Sequence, residues 1–287
     1  MATLPTDLAD CSAAQLADLY RGGQASPEEA CAAVLARIDA RDAGINAFVC
    51  VDRAGAAAAA AASTVRWSQG KPLGPLDGIP VSIKDLILTR GLPTLRGSRT
   101  LDVDQVWDVD APATARLREA GAVILGKTTT PEFGCKGETN SPRTGITRNP
   151  WKQDRTAGGS SGGAAAAVAA GMGPIAIGTD GAGSVRIPAA FCGCFGLKPS
   201  FGRVPAYPLS PFGTVAHIGP LTRTVEDAAI AMNVLKQEDA RDWTALPPDT
   251  SDDTRDLGAG IRGWRIAYSP TLGYARNVDP EVARAVD

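Results

Sequence analysis

The chain has 287 residues, with 29 basic against 31 acidic side chains and a formal net charge of −2. That length buries a sizeable core in one large domain or two small ones, and the near balance of charge argues against a nucleic-acid footprint, which shows a basic excess or stripe. No apolar run reaches the length of a membrane span, and residues 1–10 lack the basic start and apolar stretch of a secretory signal. Six scattered cysteines, Cys11, Cys31, Cys50, Cys135, Cys192 and Cys194, do not frame a disulfide scaffold and point to a reducing cytoplasm.

In chain order, Ser12 opens a helix with a capping box closed by Gln15, and Gly22-Gly23 stops it. Ser26-Pro27-Glu28-Glu29 starts a second helix, with serine as cap, proline in the first turn and Glu29 reaching back. Its stripe of Cys31, Val34, Leu35 and Ile38 has helical spacing. Residues 45–51 read as a strand and 54–65 as an alanine-rich helix. A loop rich in Pro and Gly over 72–80 delivers a short strand, Val81-Ser82-Ile83-Lys84-Asp85, with a lysine at its end. Residues 91–108 read as irregular, 111–120 as a helix, and Val123-Ile124-Leu125 as a fully apolar strand closed by Gly126. Two glycine-rich segments follow. Residues 158–163 run into a helix over 164–170, and the apolar run Ile175-Ala176-Ile177 leads into Gly178-Thr179-Asp180-Gly181-Ala182-Gly183-Ser184-Val185-Arg186. Thr224 caps a helix through Leu235, residues 237–260 form a charged surface excursion, residues 265–268 read as a strand, and Asp279-Pro280-Glu281 starts a last helix. Alternating strands and helices favour an α/β layer with helices on both faces.

Two glycine-lined loops, each presenting a serine beside one small-residue helix, have the makings of a reaction centre. A Ser-His-Asp triad is the first reading to test. The single histidine, His217, has no visible serine partner, and Ser184 is not in a G-x-S-x-G elbow, because Arg186 stands where that motif needs glycine. Residues 158–163 lack the Lys-Ser/Thr that ends a phosphate-binding loop. Residues 171–176 match the dinucleotide pattern as letters, but after a helix and before a strand, which is the wrong order. Cys192-Gly193-Cys194 has no second cysteine pair to complete a metal site, so buried apolar thiols are the better reading. What remains is a serine nucleophile with a base other than histidine. Lys84 qualifies if desolvation or a neighbouring cation lowers its pKa from ~10.4 toward neutrality.

Lys84 within Gly78-Ile79-Pro80-Val81-Ser82-Ile83-Lys84-Asp85, Ser160 within Gly158-Gly159-Ser160-Ser161-Gly162-Gly163, and Ser184 within the segment ending at Arg186 together resemble the amidase signature family. So do Asn149-Pro150-Trp151, Ile187-Pro188-Ala189-Ala190-Phe191-Cys192-Gly193, Gly196-Leu197-Lys198-Pro199 and the run from His217 to Thr224. The resemblance implies a large mixed β-sheet flanked by helices on both faces, and amide hydrolysis without cofactor or metal through a Ser–cis-Ser–Lys triad. In it Ser184 is the nucleophile, Ser160 the bridging serine after a cis peptide, and Lys84 the base. The main-chain N–H groups of Gly181, Ala182, Gly183 and Ser184 would form the oxyanion hole, with Gly159, Ser161, Asp180 and Arg186 in support. Ala182 departs mildly from a glycine common in the family and is tolerable at negative φ.

The partners implied are a small-molecule amide and a second copy in a homodimer, with neither nucleic acid nor membrane. A single catalytic domain over residues 1–287 is expected. The helix begun at 279 has barely two turns, and family chains are considerably longer, so the reading expects a truncated protein lacking sheet strands and much of the acyl pocket. Two alternatives stand beside a free-standing amidase. One is the glutaminase subunit of a glutamyl-tRNA(Gln) amidotransferase, and the other is a catalytically incomplete scaffold.

Overall fold

The computed structural model describes residues 5–275 and 277–286. Contacts divide the chain after Thr254 into two compact units. The first carries α1 (Ala13–Arg21), α2 (Pro27–Ile45), β1 (Phe48–Val51), α3 (Arg53–Ser68), β2 (Pro80–Lys84), α4 (Pro112–Glu119) and β3 (Val123–Thr128). After a hairpin of two-residue strands, β4 (Asn140–Ser141) and β5 (Gly145–Ile146), come α5 (Gly162–Ala169), β6 (Ile175–Asp180), α6 (Arg186–Cys192), β7 (Phe195–Gly196), β8 (His217–Thr222) and α7 (Val225–Leu235). Both expected capping boxes form, Ser12 with Gln15 and Ser26 with Glu29, and Thr224 caps α7 through the N–H of Asp227.

Six strands make one mixed sheet in the order β1-β3-β2-β6-β8-β7. β2 lies at its centre, parallel to both β3 and β6. The outer pairings β1/β3, β6/β8 and β7/β8 are antiparallel. Successive strand residues point to opposite faces, so each strand feeds two cores. Val81, Ile83, Ile124, Ile175 and Ile177 join residues of α1, α4 and α7 in one. Val123, Leu125 and Ala176 join residues of α2, α3, α5 and α6 in the other. Ser82 and Lys84 therefore fall on the second face, the one covered by α5.

Alanine and glycine in α5 bring its backbone close to the sheet. A Cβ on Gly163 would sit 2.4 Å from the Thr129 nitrogen and 2.5 Å from the Ala47 oxygen, both main-chain atoms. No side chain fits there.

Three local expectations differ from the structure. Residues 45–47 are not strand, because α2 runs on to Ile45 and Asn46 turns the chain at φ 60°. The strand expected to close at Gly126 continues through it to Thr128. Gly126, at φ 146°, allows the close approach of β1, since a Cβ there would lie 2.1 Å from the Cys50 oxygen. The pairing with β2 shifts register at this point. In the second unit, residues 265–268 are irregular and exposed rather than a strand. Extended chain that buries neither face lacks the sheet packing that holds a strand. The helix expected from 279 forms as α8 (Pro280–Val286). No helix among the described residues is long and apolar enough to cross a membrane.

Gly163→Ala should destabilise the fold by about 1–3 kcal/mol, because backbone atoms rather than flexible side chains must move. Urea unfolding of the two forms measures this, and equal midpoints would show that α5 is not tightly seated on β3.

Candidate active site

Lys84 ends β2 in the middle of the sheet and is fully buried. Its Nζ lies 2.7 Å from Ser160 Oγ, 2.9 Å from Ser161 Oγ and 2.8 Å from Thr179 Oγ1. Among the described residues no carboxylate forms an ion pair with it. Burial without a counter-charge disfavours the ammonium and holds the amine well below its ordinary pKa, with the Asp180 charge pulling weakly the other way.

Ser160 and Ser161 occupy the tight turn that enters α5, and both are buried. The Gly159–Ser160 peptide is cis. Gly159 packs on the main chain of Glu138 so closely that a Cβ would meet its carbonyl carbon at 2.5 Å. Thr139 clamps the same turn, its Oγ1 donating to the Gly158 oxygen at 2.9 Å and accepting from the Gly162 N–H at 3.0 Å. Ser161 has its own commitments. Its hydroxyl donates to the Thr179 carbonyl at 3.2 Å, and its N–H donates to the Ser184 carbonyl at 3.1 Å. That last bond ties the Ser160 turn to the Ser184 loop.

The Ser184 loop is organised by Asp180, the last residue of β6. Its carboxylate accepts from the N–H groups of Gly183 at 2.7 Å and Val185 at 3.1 Å, and from Arg186 Nε at 2.9 Å and Arg186 Nη2 at 3.0 Å. Burial pushes the Asp180 carboxyl up, but Arg186 and the two N–H groups outweigh it and bring the pKa down to about 2. Gly183 sits at φ 109° and Ala182 is not among the positive-φ residues, so alanine is accommodated. Since Asp180 takes the N–H of Gly183, the donors left for an oxyanion are those of Gly181, Ala182 and Ser184, which no hydrogen bond claims among the described residues.

His217 does not face a serine. Its Nδ1 is 3.0 Å from the Asp180 main-chain oxygen and its Nε2 is 3.4 Å from Lys198 Nζ. Cys192 is a buried free thiol whose Sγ lies 3.5 Å from the Ala157 carbonyl oxygen, with its pKa raised to about 12 by burial.

The structure thus brings Lys84, Ser160, Ser161, Asp180 and Arg186 into one connected set, joined to Ser184 through its carbonyl. Two groups escape sequence reasoning, one at the site and one on the opposite face of the sheet. Thr179 supplies a third hydroxyl to Lys84, and the signal available was its place in Gly178-Thr179-Asp180, on the strand beside β2. Lys127, on β3, is a second fully buried lysine. Its Nζ donates to the Ile87 carbonyl, to Thr89 Oγ1 at 3.1 Å and to Thr94 Oγ1 at 2.8 Å. Desolvation lowers its pKa to about 8 against the pull of Asp85.

A buried lysine bonded to two adjacent serines has the residue types of the serine–lysine variants of the catalytic triad. A family model described as Amidase matches residues 29–287, and the chain belongs to this amidase signature family. It is similar to a glutamyl-tRNA(Gln) amidotransferase subunit from Chloroflexus aurantiacus, with 46% identity over 264 residues, covering 92% of this chain and 54% of that protein. It is 43% identical over 272 residues to an acylamidase from Rhodococcus erythropolis, covering 94% of this chain and 57% of that one. Among solved structures, a bacterial aryl acylamidase of the amidase signature enzymes superposes with a TM-score of 0.82 at 41% identity, over 88% of this chain and 53% of the other. The native peptide amidase from Stenotrophomonas maltophilia gives 0.83 at 35% identity, over 90% and 55%. The chain therefore spans about half the length of these relatives.

Lysine pKa values lowered by burial leave a mark on stability. Between the depressed native pKa and ~10.5 the unfolded chain holds a proton that the native chain lacks, so stability rises with pH across that window. Replacing Lys84 by Met removes one such contribution and leaves that of Lys127. Urea unfolding at pH 7 and pH 10 should show a larger gain for the wild type than for Lys84→Met. Equal gains would mean that Lys84 titrates normally.

Proposed function

We propose that this chain carries the nucleophile, relay and base of an amidase that hydrolyses a carboxylic amide through a serine acyl-enzyme. The observation that supports it most is the buried Lys84 amine, held by hydroxyls alone. A neutral amine offers two N–H donors and one lone pair. Ser161 has given its proton to the Thr179 carbonyl, so it accepts an N–H from Lys84. The shortest contact, to Ser160, suits a hydroxyl that donates to the lone pair.

In this reading Ser184 attacks the amide carbonyl while its proton passes to Ser160 and that of Ser160 to Lys84. The oxyanion lies against the N–H groups of Gly181, Ala182 and Ser184, each such donor lowering the barrier by about 2.7–4 kcal/mol. The same relay returns a proton to the leaving nitrogen, and water then releases the acid. No cofactor is required. Six free thiols fit a reducing, cytoplasmic setting.

Apolar side chains flank the centre. Gly134 abuts Ser160, with a Cβ there lying 3.3 Å from Ser160 Oγ and 2.7 Å from Leu86 Cδ1. Across the site, Phe212 Cδ2 lies 3.8 Å from where a Gly181 Cβ would be. Leu86 and Phe212 favour an aryl or alkyl amide. The second reading, the glutaminase subunit of a tRNA-dependent amidotransferase, is favoured by the 46% identity to a component of such an enzyme.

A fluorophosphonate should label the wild type at one site and leave Ser184→Ala unlabelled in intact mass spectra. Persistent labelling of the variant would overturn the nucleophile assignment. In a panel of amides, benzamide should turn over faster than glutamine by at least about tenfold, given ~1–3 kcal/mol for filling an apolar pocket. The reverse order, or copurification with two further chains, would favour the amidotransferase reading.

A further inference from the structure

Asp180 and Arg186 make an ion pair of a particular kind. The acid is 1% exposed and lies at the heart of the site, while the base, 52% exposed, sits at its surface. Thr179, the neighbour of Asp180, touches the Lys84 amine directly. The charge of Asp180 favours the charged form of that amine. The elements packed around Lys84 otherwise present neutral groups: Ser160 and Ser161 from the turn before α5, Thr128 from β3 and Thr179 from β6. The following residue, Asp85, has its carboxylate bound to the N–H groups of Leu95 and Gly97. His217 meets Asp180 at its main-chain oxygen, with Lys198 beyond it.

An unopposed carboxylate so placed would draw a proton onto Lys84 and disable it as a base. The two guanidinium bonds to Asp180, at 2.9 and 3.0 Å, spread its charge over a planar fork that is always cationic. We propose that Arg186 is a positioning residue that masks the Asp180 carboxylate from Lys84 and so keeps the buried amine uncharged at working pH. This assigns the pair an electrostatic task beyond bracing the Ser184 loop. It rests on the reading of Lys84 as base.

The test is the pH profile of Ser184 phosphonylation, in which Oγ displaces fluoride from a fluorophosphonate and passes its proton down the relay. The rate should fall on the acid side as Lys84 becomes protonated. In Arg186→Ala that acid limb should move up by about one pH unit, the low end for one nearby opposite charge, and Arg186→Lys should restore most of it. Asp180→Asn keeps a side-chain oxygen for the Gly183 N–H and should move the limb down. Adding Arg186→Ala to Asp180→Asn should then move it no further. A purely bracing role predicts slower labelling in Arg186→Ala with an unmoved limb, and that result overturns the inference while leaving the function standing. If Arg186→Ala does not fold, a limb moved down in Asp180→Asn and left near the wild-type position in Arg186→Lys supports the inference, and an unmoved limb in Asp180→Asn overturns it. A wild type that takes no label removes the reading of the site, and this inference with it.

Discussion

An amine enclosed on every side, with hydroxyl oxygens as its bonded neighbours, is the constraint on which the rest of this site depends. A buried ammonium without a counter-charge is expensive, and proteins avoid it by releasing the proton. The fold supplies the enclosure. β2 is the centre of the sheet, β3 and β6 cover its flanks, and α5 closes the face on which Lys84 lies. Small residues in α5 and the turn before it bring the helix near enough to exclude water and still deliver two serines to one nitrogen. A bulkier α5 would lift the lid from the amine.

Lys127 shows what the same residue type does with different company. It sits on the adjacent strand paired with Ile83, hence on the opposite face from Lys84. There it receives a main-chain carbonyl, two threonine hydroxyls and the field of Asp85, and it ties down the loop that follows β2. Thr89 and Thr94 each give their own hydroxyl proton to the Ile87 carbonyl, so toward Lys127 they act as acceptors. Lys84 instead borders Ser160, whose hydroxyl proton no other acceptor claims among the described residues. Burial alone does not mark a base; in the proposed reading the hydroxyl nearest each amine separates the two lysines.

The helices were readable wherever their ends carry their own hydrogen-bond partners, as at Ser12, Ser26 and Thr224. Strand boundaries were less so, because a strand is defined by its neighbour. The continuation of β3 past Gly126 depends on β1 approaching a glycine that sequence alone presents as a stop. Residues 265–268 have strand composition, yet composition cannot supply a partner. At the site, the contact of Lys84 with Ser160 was expected only through the family resemblance, since 76 residues separate the two and no local pattern joins them. Thr179 and Lys127 were not expected. Each acquires its role from sheet register, which places it beside a side chain distant in the chain. The N–H of Gly183, expected to serve an oxyanion, is taken by Asp180, a competition visible only once the loop has a shape.

The central claim is that the Lys84 amine is uncharged at neutral pH in the native chain. Carbon-detected titration of lysine labelled at Cε, with Lys84 assigned by its loss in Lys84→Met, reads that charge without relying on turnover. A Cε resonance already at its deprotonated position at about pH 7 to 8, changing only on acidification, is the predicted result. A resonance that titrates near ~10.4, like a lysine in water, would contradict the account.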